Sequence, residues 1–267
     1  MSPLVPVREI AHLRLALPTH DRWVGELTWV PVSATEIHLA CRYYPLAIRF
    51  DGPKPMLGLI VDQRYIMQPL LDAAGTWRGA YRPIGVRCFP FVAPRIGDDP
   101  LDDILISADS KYVSETAGIS IIDKAGRPDR LLNELHRLFR LLQRAQESFA
   151  GILDQYLIGS LLVPLANANT DQTLYVIDPQ RLLHLEPAAF GAMARHGFLG
   201  VDVAVACLFS LQTLRPEYRP KGAGTPRPSM PSVSIVPNMT AIDDLPLVLD
   251  DSELISLRYI DAMRAEN

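Results

Sequence analysis

The sequence predicts an α+β fold: a strongly bent antiparallel β-sheet, or barrel-like meander, packed by one long helix and two shorter C-terminal helices. Three observations carry this expectation. Residues 44–93, Tyr44 to Ala93, hold the densest run of strand, turn and aromatic signals in the chain. One apolar stripe at helical spacing then extends from Leu131 to Tyr156. Two further helical patterns follow before Pro216, where the composition changes.

Each element has its own signal. Trp23 to Val30 alternates between two tryptophan-bearing ends and reads as an edge strand whose tryptophans cover the core. Ser33 or Thr35 caps a short helix reaching Tyr43, and Pro45 pushes Tyr44 toward extended geometry. Leu46 to Phe50 is a strand, Asp51-Gly52-Pro53 a turn, and Met56 to Val61 a buried strand. Asp62-Gln63 is a tight turn from which Arg64 to Met67 returns, closing a small meander. Asp72 and Gly75 make a turn that delivers Trp77, and Pro83 opens a short helix that ends before Pro90. Phe89, Phe91 and Val92 suggest a strand, Pro94 to Asp103 a polar loop, and Ile104 to Ile106 another strand ended by Asp109-Ser110. Ile119 to Ile122 pairs near it, and Asp123 to Gly126 turns.

Pro128 opens the clearest helix. Leu131, Leu135, Leu138, Leu142, Ala145, Phe149, Ile152 and Tyr156 advance in steps of four and three and share one face. Arg130, Arg137, Arg140 and Arg144 occupy mainly the other side, with His136 expected in solvent among them. The helix should run to about Gly159. Leu174 to Ile177 is a strand and Asp178-Pro179 a turn. Glu186-Pro187 starts a helix that ends near Gly197, and Val201 to Leu214 forms a mostly apolar one. The expected organisation is a domain at 1–215, a proline-rich arm at 216–240 and a docking tail at 241–267.

Composition bounds the function. The 267 residues are 48% hydrophobic and 21% charged, enough to bury a core. A formal net charge of −4 argues against nucleic acid or an anionic membrane as partner. Arg8, Glu9 and Arg14 interrupt any signal-peptide core. The most apolar stretch, Leu157 to Ala166, is half the roughly 20 residues needed to span a bilayer. Cys41, Cys88 and Cys207 form no CxxC pair and suggest buried thiols in a reducing compartment, so the cytoplasm is the expected location.

The catalytic motifs sought are incomplete. Gly159-Ser160 lacks the second glycine of a nucleophile elbow, GxxxxGK[ST] is absent, and Gly222-Ala223-Gly224 sits in the proline arm. His184, Glu186 and His196 could make a facial iron triad, but their proximity on one short helix favours caps and surface contacts. Asp98, Asp99, Asp102 and Asp103 lack the alternation of a calcium loop and read as a solvated acidic loop. No metal or cofactor is expected. What remains is Trp77, Tyr81, Arg87 and Phe91 with Tyr44 upstream: aromatics beside an arginine can stack a planar group or a peptide side chain while Arg87 pairs a carboxylate. The plainer reading makes the aromatics core residues and has Arg87 bond a carbonyl or a nearby aspartate. Asp109 and Ser110 are secondary candidates for the same cleft.

The ordered motifs resemble the SapC family of bacterial proteins. Tyr44-Pro45, the strand ending in Phe50, Leu57-Gly58, Gly75-Thr76-Trp77 and Tyr81-x-Pro83 followed by Arg87-x-x-Pro90-Phe91 carry the resemblance. Asp123-x-x-Gly126, Val176-Ile177-Asp178 and Ala206-x-Leu208-Phe209-Ser210-Leu211 extend it over residues 30–215. One departure is Cys207, where relatives are expected to carry histidine. The resemblance implies an association with S-layer protein export, and relatives beside halogenases, cupin-type oxygenases and TonB-dependent receptors. The resulting expectation is an accessory or binding protein that recognises a protein, peptide or small ligand in an export, uptake or modification pathway. Its partner would be another protein or a second copy, held through the long helix and tail. The alternative is an enzyme or enzyme subunit in peptide or aromatic modification.

Overall fold

The computed structural model describes residues 3–16, 18–78, 81–107, 110–165, 173–194 and 199–220, all within one unit, Met1–Ala223. Its strands are β1 (Leu4–Pro6), β2 (Arg14–Leu15), β3 (Trp29–Pro31), β4 (Leu46–Asp51), β5 (Lys54–Ile60), β6 (Leu105–Ser107), β7 (Val113–Ser114), β8 (Ile119–Ser120), β9 (Leu162–Pro164) and β10 (Leu174–Ile177). Its helices are α1 (Ile37–Ala40), α2 (Ile84–Arg87), α3 (Pro100–Asp103), α4 (Arg130–Ile158), α5 (Pro179–Leu183), α6 (Pro187–Ala194) and α7 (Leu199–Ser210). The fold is α+β. The sheet is open rather than barrel-like, and the strands divide among three sheets instead of forming one bent meander.

The main sheet has the order β3-β5-β4-β10-β9, with every neighbour antiparallel. Its centre is the β4–β5 hairpin, which pairs Leu46 with Leu59 through Asp51 with Lys54. Gly52, at φ 57°, supplies the left-handed position of the connecting turn. The β9 edge is blunted. Pro164 has no N–H, and Arg181 donates to the carbonyls of Ser160 and Leu162. Two smaller sheets, β1-β6 and β7-β2-β8, complete the strands.

Helix α4 joins these parts. All eight residues of the predicted stripe are buried. Leu131 and Leu135 join a cluster with Ile104, Ile106 and Phe91 from the smaller-sheet side. Phe149, Ile152 and Tyr156 join the main cluster with Leu46, Ile48 and Leu57. Gln146 fastens the helix to the sheet where β3 ends: its Oε1 accepts from Leu57 N at 3.0 Å, and its Nε2 donates to Leu57 O at 2.9 Å and Val32 O at 3.2 Å. On the other side, buried Ser210 of α7 accepts from Leu46 N at 2.9 Å and donates to Cys207 O at 2.7 Å.

Several local expectations are corrected. Trp23 lies in a 3-10 turn, Arg22–Glu26, and the edge strand begins only at Trp29. Arg64 to Met67 is not a returning strand. Asp62 Oδ1 captures Arg64 N in a turn, and Ile66 makes one bridge to Leu214. Phe89 and Phe91 spend their amides on turn bonds to Val86 and Cys88, leaving only a bridge from Val92 to Leu105. Within the expected acidic loop, Asp99 caps α3 by accepting from Leu101 N, with Pro100 at the first position. Asp178 caps α5 in the same way. His136 is not solvated: it is 7% exposed, and its Nε2 lies 2.8 Å from Asp103 Oδ2. Beyond Leu214, Pro216–Tyr218 form a 3-10 turn, and Tyr218 meets Tyr65 edge-on with ring centroids 4.7 Å apart. The rest of the proline arm and the expected docking tail lie outside the described residues.

Candidate functional site

The residues of the central stretch converge on a buried carboxylate that the sequence reading did not single out. Ser33 and Glu36 form a reciprocal capping box at the entrance to α1, and Glu36 is 4% exposed. Its Oε1 accepts from Ser33 N at 2.8 Å. Its Oε2 accepts from Ile84 N at 3.0 Å, at the start of α2, and from the Tyr81 hydroxyl. One carboxylate thus ties the α1 entrance to the α2 entrance. Burial raises the Glu36 carboxyl above its ordinary range. Donation from Tyr81, Ser33 and Ile84 and the positive charge of Arg87 only partly oppose that rise.

Tyr81 is engaged at both ends. Its carbonyl accepts from the Tyr44 hydroxyl at 2.7 Å and from Trp77 Nε1 at 3.3 Å. Trp77 is delivered by the predicted turn, in which Gly75 adopts φ 85° and Asp72 accepts from Thr76 N. Asp21 Oδ2 then fixes the Trp77 backbone N–H at 3.0 Å and pairs Arg82 at 2.7 Å. The guanidinium of Arg82 lies 5.3 Å from the centre of the Trp77 ring, and that of Arg87 lies 5.5 Å from the Tyr81 ring. Gly85 lets α2 approach β3, since a Cβ there would come within 2.8 Å of Pro31 O. Tyr44 is fully buried, whereas Trp77, Tyr81, Arg82 and Arg87 are partly exposed. The result is a rim of two aromatic rings, each faced by a guanidinium, above a floor of Tyr44 and Glu36. Burial pushes the Tyr44 and Tyr81 phenols well above their usual range, so both hydroxyls are neutral donors at neutral pH.

The structure therefore brings Tyr44, Trp77, Tyr81 and Arg87 together. Arg87 Nε donates to the Arg82 carbonyl at 2.7 Å, one of the two partners the plainer sequence reading allowed. Phe91 belongs elsewhere: it is 4% exposed in the cluster under the first turns of α4. Ser110 accepts from Tyr112 N at 3.2 Å. Asp109 lies outside the described residues. Phe89 stacks on Trp23 with centroids 3.9 Å apart and meets Tyr112 edge-on at 5.4 Å. Glu36 was legible from Ser33-x-x-Glu36, the spacing of a capping box. Asp21, sixty-one positions from Arg82, had no local signal.

The other candidates resolve into structural contacts. Arg8 pairs Asp99 and Asp102, Arg140 pairs Asp98, and Asp103 meets His136. His184 Nδ1 lies 2.8 Å from Gln180 O, while His196 lies outside the described residues. Among the described residues, no three His, Cys, Asp or Glu side chains are grouped to hold a metal, and no single helix is long and apolar enough to cross a membrane. Cys41, Cys88 and Cys207 are free and buried, and burial pushes the Cys207 thiol up to about 12.

An open antiparallel sheet packed by one long helix, with two aromatic rings faced by guanidiniums in and just before α2, defines an α+β protein. The SapC family model matches residues 8–216, and the chain belongs to that family. No curated protein and no solved structure matches it.

Proposed function

We propose that this SapC-family chain is a binding or accessory protein that holds a peptide, protein or small ligand at the rim formed by Trp77, Tyr81, Arg82 and Arg87. One observation carries the reading. Two partly exposed aromatic rings, each faced by a guanidinium, are held on a floor whose polar groups are already engaged. Rigid aromatics lose little side-chain entropy on binding, and arginine adds charge and planar stacking, so this pairing is the common chemistry of recognition surfaces. The Glu36 carboxylate accepts three hydrogen bonds and serves to hold the rim in place.

The test is affinity capture from the native host with mass spectrometry, comparing the wild type with Trp77→Ala and Arg87→Gln. A partner recovered by the wild type and lost with both folded variants supports the reading. Turnover of a defined substrate by the purified protein, abolished by one point substitution, would sink it.

A further inference from the structure

The rim carries guanidinium donors that the described residues do not use. Arg87 spends Nε on the Arg82 carbonyl, and its two terminal nitrogens have no hydrogen-bond partner among the described residues. Three acceptors at the rim are engaged. The Tyr81 carbonyl takes Tyr44 and Trp77, Asp21 Oδ2 takes Trp77 and Arg82, and Glu36 takes three donors. The Arg87 side chain is partly exposed, and a charged oxygen acceptor makes a stronger hydrogen bond to a guanidinium than a neutral group does.

Building on the binding role proposed above, we infer that the ligand is a carboxylate attached to an aromatic or other planar body, with its carboxylate on the terminal nitrogens of Arg87 and its body against Tyr81 and Trp77. The outer edge of a guanidinium takes two oxygens of one acid group. Asp21 pairs Arg82 and Glu36 lies in the field of Arg87, so the rim carries little net positive charge and suits a singly charged carboxylate better than a doubly charged phosphate. The same chemistry is offered by a free aromatic acid and by the terminal carboxylate of a peptide ending in an aromatic residue.

The experiment titrates the full chain, followed by ligand-observed NMR, with two probe pairs. Benzoate against benzamide represents the free acid, and acetyl-Ala-Ala-Phe against its C-terminal amide represents the chain end. At least one carboxylate should bind about tenfold tighter than its amide, and the pair that shows the preference identifies the source. Arg87→Gln should erase the preference while the weak amide binding remains, and Arg87→Lys should restore part of it. Thermal melting confirms that each variant is folded. Equal binding of acid and amide, an undiminished preference in folded Arg87→Gln, or no binding by any probe overturns the carboxylate assignment. If the assignment fails while amide binding or partner capture is still lost in Trp77→Ala, the rim stands as a binding site. If Trp77→Ala changes neither, the rim fails too.

Discussion

Replacing Glu36 by alanine probes the floor on which the rim rests. The substitution removes the acceptor of Ser33 N, Ile84 N and the Tyr81 hydroxyl. The two amides are fixed in the backbone, and each buried donor without a partner costs about 1–3 kcal/mol. Relief of burying a carboxylate offsets part of this, leaving a net loss of about 3 kcal/mol. For a domain of this size, that lowers the melting temperature by about 6–12 °C. Glu36→Gln keeps one oxygen for Ile84 and Tyr81 but turns an NH2 toward Ser33 N, so its loss should be about 1 kcal/mol. The pH dependence has a definite sign. Burial raises the Glu36 carboxyl above 4.5 in the folded state, so there the folded chain binds more protons than the unfolded chain. Stability from this group is therefore full below pH 4.5 and falls as pH rises through the raised value. Glutamine does not titrate, so the wild-type advantage over Glu36→Gln should be largest near pH 4 and shrink toward neutrality. Urea unfolding of both proteins across that range reads it directly. A Glu36→Ala protein within about 1 kcal/mol of wild type, or a wild-type to Glu36→Gln difference independent of pH, would refute the reasoning.

Three further outcomes follow from the joints between layers. Ser210→Ala leaves the buried Leu46 N–H without an acceptor and should cost about 1–3 kcal/mol in urea unfolding. Gln146→Leu strips the backbone of Leu57 and Val32 of their side-chain partner. It should cost about 2–3 kcal/mol, read as a lower midpoint at unchanged slope. Gly58→Ala would place a methyl 2.2 Å from the Trp29 ring and 2.3 Å from Val30 O. That overpacking should cost about 3 kcal/mol or prevent folding, visible in soluble yield and melting temperature.

Long periodic signals were the legible ones. The stripe on α4 fixed its face because eight apolar residues at steps of three and four can be buried together only on one side. The β4–β5 hairpin was equally plain from Asp51-Gly52-Pro53 between two apolar runs. Short strands were not legible. β1, β2, β7 and β9 are two or three residues long, and their existence depends on partners distant in sequence. Side-chain capture of the backbone explains other differences: Asp62 turned an expected strand into a turn, and Asp99 turned an expected loop into a helix. His136 shows the limit of face reading, since its burial depends on Asp103, thirty-three positions away. At the site, Tyr44, Trp77, Tyr81 and Arg87 were found because they crowd one stretch. Phe91 was included for the same reason, although the chain turns after Cys88 and carries it to another cluster. Asp21 and Arg82 are not legible, because a single aspartate and arginine far apart carry no pattern.

The most direct test of the account compares capture of native-host partners by the wild type with capture by folded Trp77→Ala and Arg87→Gln, alongside Phe190→Ala, an exposed aromatic on α6, as a control. The account predicts a partner held by the wild type and by Phe190→Ala and released by both rim variants. The same partner held equally by all four proteins would contradict it.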